Sequence, residues 1–406
     1  MSFGIALSGI NAAQTELSVT ANNIANSATT GFKQSRSEFA EMFAVSPQGV
    51  GRTQAGNGVK VAAVAQQFTQ GNINTTNNSM DLAMSGPGFF ILSDGGAAAY
   101  TRAGAFQIDK SGYVVNSQDQ RMQVYPASGS SGLFNTSTLS DLRLLTSESP
   151  PAATANVETV FNLTANASQP IVSTFDPADP SSYNNATSLT VFDSLGAAHT
   201  ASMYFVKTAN PNEWQSSLYV DGAAVGTAQT LQYSNTGALT TPTNGQVAFP
   251  AYTPATGAAP ITLNFDLSRT TQYGDTFNVT SVTQDGFTTG RLIGIDIDST
   301  GIVQARFTNG RSLEMGQVAI ANFANTQGLQ QLGNTTWAET FGSGQALKGQ
   351  AGNSGFGLIQ SGALESSNVD ITAQLVNMIT AQRNFQANAQ MIQTADQVTQ
   401  TIINIR

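Results

Sequence analysis

A single histidine, His199, sets the limit on the acid–base chemistry this chain could carry. A serine–histidine pair would have to use it, yet no G-x-S-x-G turn occurs in the 406 residues. His199 follows Asp193-Ser194-Leu195-Gly196, and so unsupported a histidine reads as a strand or turn residue. Cysteine is absent, which removes disulfides, thiolate metal sites and a cysteine nucleophile. Asp296-Ile297-Asp298 puts Gly301 where a calcium loop wants its sixth-position glycine. The twelfth position, however, is Phe307 and not a bidentate glutamate, so a hairpin turn is favoured. The cluster "GQAGNSGFG" lacks the Lys-Ser/Thr of a phosphate loop and reads as flexible turns. Acids are many, but no spacing singles out a pair for glycosidic hydrolysis. The expectation is a non-enzyme with no catalytic residue, no metal and no cofactor.

The elements that would carry any such residue are unevenly charged. Charged residues are 10% of the chain and its formal charge is -9, the opposite of the basic footprint that nucleic acid requires. Between Ser147 and Phe287 stand ten acids and two bases, a net of −8, with ten of the 13 prolines. That shift predicts a water-facing acidic domain inserted into the rest. The flanks of this block look alike. "GFFILSD", "FQID", "YVVNS" and "RMQVY" precede it; "RLIGIDID", "IVQARFT" and "RSLEMGQVAIANF" follow, with Asn309-Gly310 where a tight hairpin would turn. Ile108-Asp109-Lys110-Ser111-Gly112 and Ile297-Asp298-Ser299-Thr300-Gly301 share one pattern, and Asp193…Gly196 repeats it inside the block. Aspartate opening and glycine closing suits a type I turn between strands.

The two ends of the chain are helical in pattern and almost free of charge. Phe3, Ile10, Leu17 and Ile24 recur every seven residues, each followed three later by a small residue: Ala6, Ala13, Thr20, Ser27. That is a narrow heptad seam. At the other end Ile371, Leu375, Met378, Phe385, Ile392, Ala395, Ile402 and Ile405 follow steps of three, four or seven. After Ser366 the only charges are Asp370, Arg383, Asp396 and Arg406, so ion pairs along the helix contribute little. Amides and small side chains fill the remaining faces, and these favour close approach to other helices over solvation. The expectation is a helix hairpin covered by copies of the same molecule. No run is apolar enough to span a membrane, and no basic residue precedes Lys33 to start a secretory signal.

The stretch "SGINAAQTELSVTANNIANSATTGFKQSRSEFAEMF" resembles the amino-terminal signature of the bacterial flagellar rod/hook axial protein family. "LAMSGPGFFIL" and "YTRAGAFQIDKSGYVVNSQDQRMQVY" are similar to the strand-rich region of that family. "ANFANTQGLQQLGNTTWAET" and "SGALESSNVDITAQLVNMITAQRNFQANAQMIQTADQVTQTIINIR" resemble its carboxyl-terminal half. Length and the large insert favour its hook members over its shorter rod subunits; within the insert only "VFDSLGAAHT" and "TQDGFTTG" carry the likeness. The resemblance implies a helical homopolymer: a flexible tube at the bacterial cell exterior that couples motor to filament and transmits torque. It implies as partners the rod end, the hook cap, the hook–filament junction proteins and the type III export apparatus, with export needing no cleaved signal peptide. It implies an export-gate element at Phe39, Met42 and Phe43. No nucleic-acid partner and no membrane insertion are expected.

The fold class expected is α+β: paired terminal α-helices forming a coiled-coil-like core, with two mainly β domains, the second inserted into the first. Residues 1–30 with 363–406 would form the helical core, 31–71 a linking region, 72–146 with 288–362 an inner β-domain, and 147–287 the outer acidic one. Subunit contacts are assigned to Phe3, Ile10, Leu17, Ile24, Ile371, Leu375, Met378, Phe385, Ile392, Ile402 and Ile405. A distal rod subunit is an alternative within the family. Outside it, the competing reading is a surface adhesin or glycan-binding β-domain with helical anchors.

Overall fold

The computed structural model describes residues 2–42, 56–129, 132–144 and 148–404. Phe43 and Ile405, both named above, lie outside them. The chain divides into two compact units. Met1–Leu144, Gly294–Arg306 and Ser312–Arg406 form the first; Leu145–Ile293 and Phe307–Arg311 form the second.

Both ends are helical, α1 over Ser2–Ala25 and α2 over Ile371–Asn404. Asp370 caps α2: its carboxylate accepts from the amides of Thr372 and Ala373 at 2.8 and 3.1 Å. After α1 the chain turns through Asn26–Gly31, where Gly31 has φ +68° and an added Cβ would strike the backbone of Ala103. The segment read from sequence as a linker holds a two-stranded antiparallel ribbon, Ser35–Glu41 against Val59–Gln66, with a bulge between Glu38 and Phe39.

The β part of the first unit is built around Ser312–Asn322, continuously buried from Gly316 to Ala321. It pairs antiparallel with Ile302–Phe307, Arg121–Tyr125, Phe89–Asp94 and Leu347–Gln350. On one face Phe89, Tyr100, Phe323 and Trp337 form an edge-to-face aromatic core with centroids 4.8–5.8 Å apart. In the second unit, strand alternation does the work. Asn156–Thr164, Ala198–Lys207 and Glu213–Val220 each bury every second residue. A five-stranded and a six-stranded sheet share one core that includes Phe161, Phe205, Trp214, Leu231 and Phe265.

All three aspartate–glycine turns take one form. Asp109, Asp193 and Asp298 each accept two backbone amides on Oδ1, and each main-chain oxygen accepts the amide of the closing glycine at 3.0 Å. The Asn309-Gly310 hairpin turns through four residues, Thr308–Arg311, rather than a two-residue loop. Its tip packs against the end of the expected insert. Arg311 lies over the Phe287 ring at 4.6 Å, and the Asn309 amide donates to the Thr288 carbonyl at 2.8 Å. These contacts take residues 288–293 and 307–311 into the second unit, although the sequence reading placed them in the inner β-domain.

Candidate functional site

The helix pair is antiparallel, with Asn23 level with Gln374 and Gly9 packed against Asn388. A Cβ on Gly9 would fall 2.4 Å from the Asn388 side chain, so glycine is what lets the helices close there. The buried residues of α1 are Ala6, Ala12, Ala13, Thr20 and Asn23; those of α2 are Gln374 and Ala381, with Asn388 and Ala395 half-buried in the same heptad register. The small half of the predicted seam therefore faces the partner helix. The large half does not: Ile10, Leu17, Ile24, Met378 and Ile392 are half-buried, while Phe3, Ile371, Leu375, Phe385 and Ile402 are exposed. Phe3 is 55% and Ile402 65% accessible. The expected single seam is thus two neighbouring stripes, because alanine and amides allow a closer approach than Phe and Leu could.

Given this register, the turns of α2 beyond about residue 396 run past the start of α1. An open groove of about 1000 Å³ lies there, lined by Phe3, Met391, Ile392, Ala395 and Val398. Phe39 is exposed on its strand opposite Val61, and the Met42 amide donates to Gly58 at 2.8 Å.

Polar groups fasten the hairpin to its β-unit. Buried Asn23 brackets Ser35, donating to its carbonyl and accepting from its amide, both at 2.8 Å. Asn368 accepts the Gln34 amide and donates to the Gln67 carbonyl, also at 2.8 Å. Between these lies a fully buried charge cluster. Glu365 takes the Lys33 ammonium on one oxygen at 2.5 Å and the Arg102 guanidinium on the other at 3.2 Å. The Gly71 amide also donates to Glu365, Lys33 donates to the Thr69 carbonyl, and Arg102 donates to the Gly86 carbonyl at 2.8 Å. Burial holds Lys33 below its ordinary pKa, the ion pair with Glu365 offsetting only part of it. Sequence reading missed this cluster, since its members come from three distant segments.

The second unit holds the other polar centre. His199 lies on a strand, as expected, and is buried between two carboxylates: Nδ1 is 2.6 Å from Asp221 and Nε2 3.2 Å from Asp193. Thr256 donates to Asp193 at 2.9 Å. Burial acts to lower the histidine pKa, but hydrogen bonds to Asp221 and then Asp193 outweigh it and the net shift is upward. Asp193 is buried too, yet the amide of Ala197 and the hydroxyl of Thr256 bring it down to about 2. No serine or threonine is placed by these bonds as a nucleophile; the arrangement locks the Asp193 turn to the Asp221 turn. Among the described residues no group of three or more His, Asp or Glu side chains is arranged to hold a metal.

Four family models match in chain order: flagella basal body rod protein at residues 3–33, flagellar hook protein FlgE/F/G D1 domain at 83–154, flagellar basal body protein FlaE D2 domain at 162–287, and flagellar basal body rod FlgEFG protein C-terminal at 360–405. The flagellar hook protein FlgE of Escherichia coli (strain K12) is 40% identical over 419 residues, covering all of both chains. That of Borreliella burgdorferi is 33% identical, with 98% of each chain covered. The crystal structure of Helicobacter pylori flagellar hook protein FlgE2 shares the fold, with a TM-score of 0.55 over 72% of this chain and 100% of that one, at 13% identity. Likeness along the whole length, insert included, sets aside an adhesin with helical anchors, and the chain belongs to the flagellar hook protein family, a family of structural proteins.

Proposed function

We propose that this chain is the building block of the flagellar hook, polymerising into a flexible tube that couples the motor to the filament. Identity with hook proteins from one end to the other carries the reading. The hairpin supports it physically: half its apolar residues are left uncovered, and almost no charge solvates them. Phe3, Ile10, Leu17, Ile24, Ile371, Leu375, Met378, Phe385, Ile392, Ile402 and Ile405 are the proposed subunit contacts. The proposed division is helical core, link, inner β-domain and outer acidic β-domain, with the hairpin tip Phe307–Arg311 assigned to the last. The rod end, the hook cap, the junction proteins and the export apparatus are the proposed partners. Phe39, Met42 and Phe43 are proposed as the export element, in a chain exported without a cleaved signal. Sedimentation and negative-stain imaging of the purified chain should reveal tubes; a chain that stays monomeric under every salt and concentration tried would refute the reading.

A further inference from the structure

Phe341 is fully exposed, at 107% of the accessibility of a free residue. A lone apolar side chain on a surface normally needs no explanation. The turn that carries this one is built unlike a loose loop. Thr340 Oγ1 donates to the Gly328 carbonyl at 2.5 Å and accepts the amides of Gly342 and Ser343 at 3.1 and 3.2 Å. Ser343, itself buried, accepts the Thr340 amide at 2.9 Å. Asn325 donates to the Gly342 carbonyl at 2.9 Å, and backbones touch so closely that a Cβ on Gly328 would fall 2.3 Å from Gly342. These bonds fix the backbone on both sides of Phe341, while among the described residues none covers its ring.

We propose that Phe341 is a preorganised anchor through which one copy of this chain grips the next; the inference rests on the polymer reading above. An aromatic ring on a rigid support loses little conformational entropy on docking, which is the property shared by residues that dominate interface energy. The polymer reading supplies a second copy as the occupant, and charge permits it. Each copy is acidic, at -9 overall, so contacts between copies need surfaces where like charge does not meet like. The turn Thr340–Gly344 that carries the ring has no charged residue. Contacts in a helical polymer are head to tail, so the ring meets a different surface of its neighbour and needs no matching Phe341 there.

The test compares Phe341→Ser and Phe341→Leu with the unaltered chain. Loss of the ring should raise the critical concentration for tube formation roughly tenfold to a hundredfold, with leucine intermediate. Monomer melting should not move, because the ring is fully exposed. A photo-crosslinking benzoylphenylalanine at 341 should join two copies in tubes and none in dilute monomer. Normal assembly of the serine variant beside normal unaltered tubes, a shifted monomer melt, or adducts confined to one chain would each overturn the anchor. Absence of tubes from the unaltered chain would instead overturn the polymer reading itself.

Discussion

The helix hairpin and the second unit solve opposite problems. The second unit hides its large side chains, with Phe205, Trp214, Leu231 and Phe265 all fully buried, and leaves all of its acids except Asp193 partly or fully exposed. The hairpin hides alanine, threonine and amides, and leaves phenylalanine, leucine and isoleucine at the surface. Apolar burial scales with area removed from water, at about 25 cal/mol per Å². Filled with rings and branched chains, the second unit collects that term within itself. A seam of small side chains collects little of it, and the remainder becomes available only when something else covers the exposed stripe. The difference separates a unit whose stability is internal from one whose stability is shared.

Leu17→Asp is the sharpest attempt to break that contrast. Leu17 is half-buried in the isolated chain, so unfolding of the second unit should not change and the monomer should remain folded. In a tube the carboxylate would be dehydrated without a partner, at a cost of several kcal/mol in each subunit. Assembly should be lost. Gln14→Asp, on an exposed position of the same helix, separates two versions of the idea. Equal loss means neighbours cover that face as well; a mild effect means it meets water. Tubes of normal yield from Leu17→Asp would sink the shared-stability account.

Phe205→Ala is the mirror experiment. The ring is fully buried and lies 4.7 Å from Phe161, so truncation should destabilise the second unit by about 3–5 kcal/mol. The chain has two tryptophans, Trp214 in the second unit and Trp337 in the first, so fluorescence reads the units apart once one is replaced. The transition seen by Trp214 should move to lower denaturant while that of Trp337 holds. Tubes should still assemble under conditions where the second unit stays folded. Equal shifts at both tryptophans would show that the two units unfold as one.

What was legible in the sequence was what is local or periodic. The aspartate–glycine turns need only five residues to satisfy their own amides, and all three were visible. The heptads at both ends were visible for the same reason, as was the inserted acidic block. The ribbon Ser35–Glu41/Val59–Gln66 was not, because Val59-Lys60-Val61-Ala62-Ala63-Val64 breaks strict alternation and its partner strand is mostly polar. Nor was the Lys33–Glu365–Arg102 cluster, whose main ion pair joins residues 332 apart in the chain. The division of the apolar seam into two stripes was hidden for a subtler reason. Heptad spacing places residues on one side of a helix, but residues three or four apart share that side, and only packing decides which faces the partner. His199 was half legible: Asp193 stands six residues before it, while Asp221 arrives from the end of the following strand.

The smallest expected effect is also the most specific to the second unit, and it follows from His199. The groups facing the ring are Asp193 and Asp221, with the Tyr252 hydroxyl 3.5 Å from Asp221. Folding raises the histidine pKa above its ordinary 6.5, so the protonated ring is bound more tightly in the folded unit than in the unfolded chain. That contribution is complete below about pH 6.5 and is lost as pH rises through the higher folded value. Asp193 acts in the opposite sense. Its pKa falls from 3.8 to about 2, so its contribution is present above 3.8 and disappears as pH drops through about 2. The second unit should therefore be most stable between roughly pH 4 and 6.5, with Trp214 reporting a lower denaturation midpoint at pH 8 than at pH 6. His199→Gln should flatten the alkaline side of that profile and leave the midpoint seen by Trp337 unchanged. A profile of identical slope in the variant would mean that the histidine is not protonated between its carboxylates, and that another group sets the pH dependence.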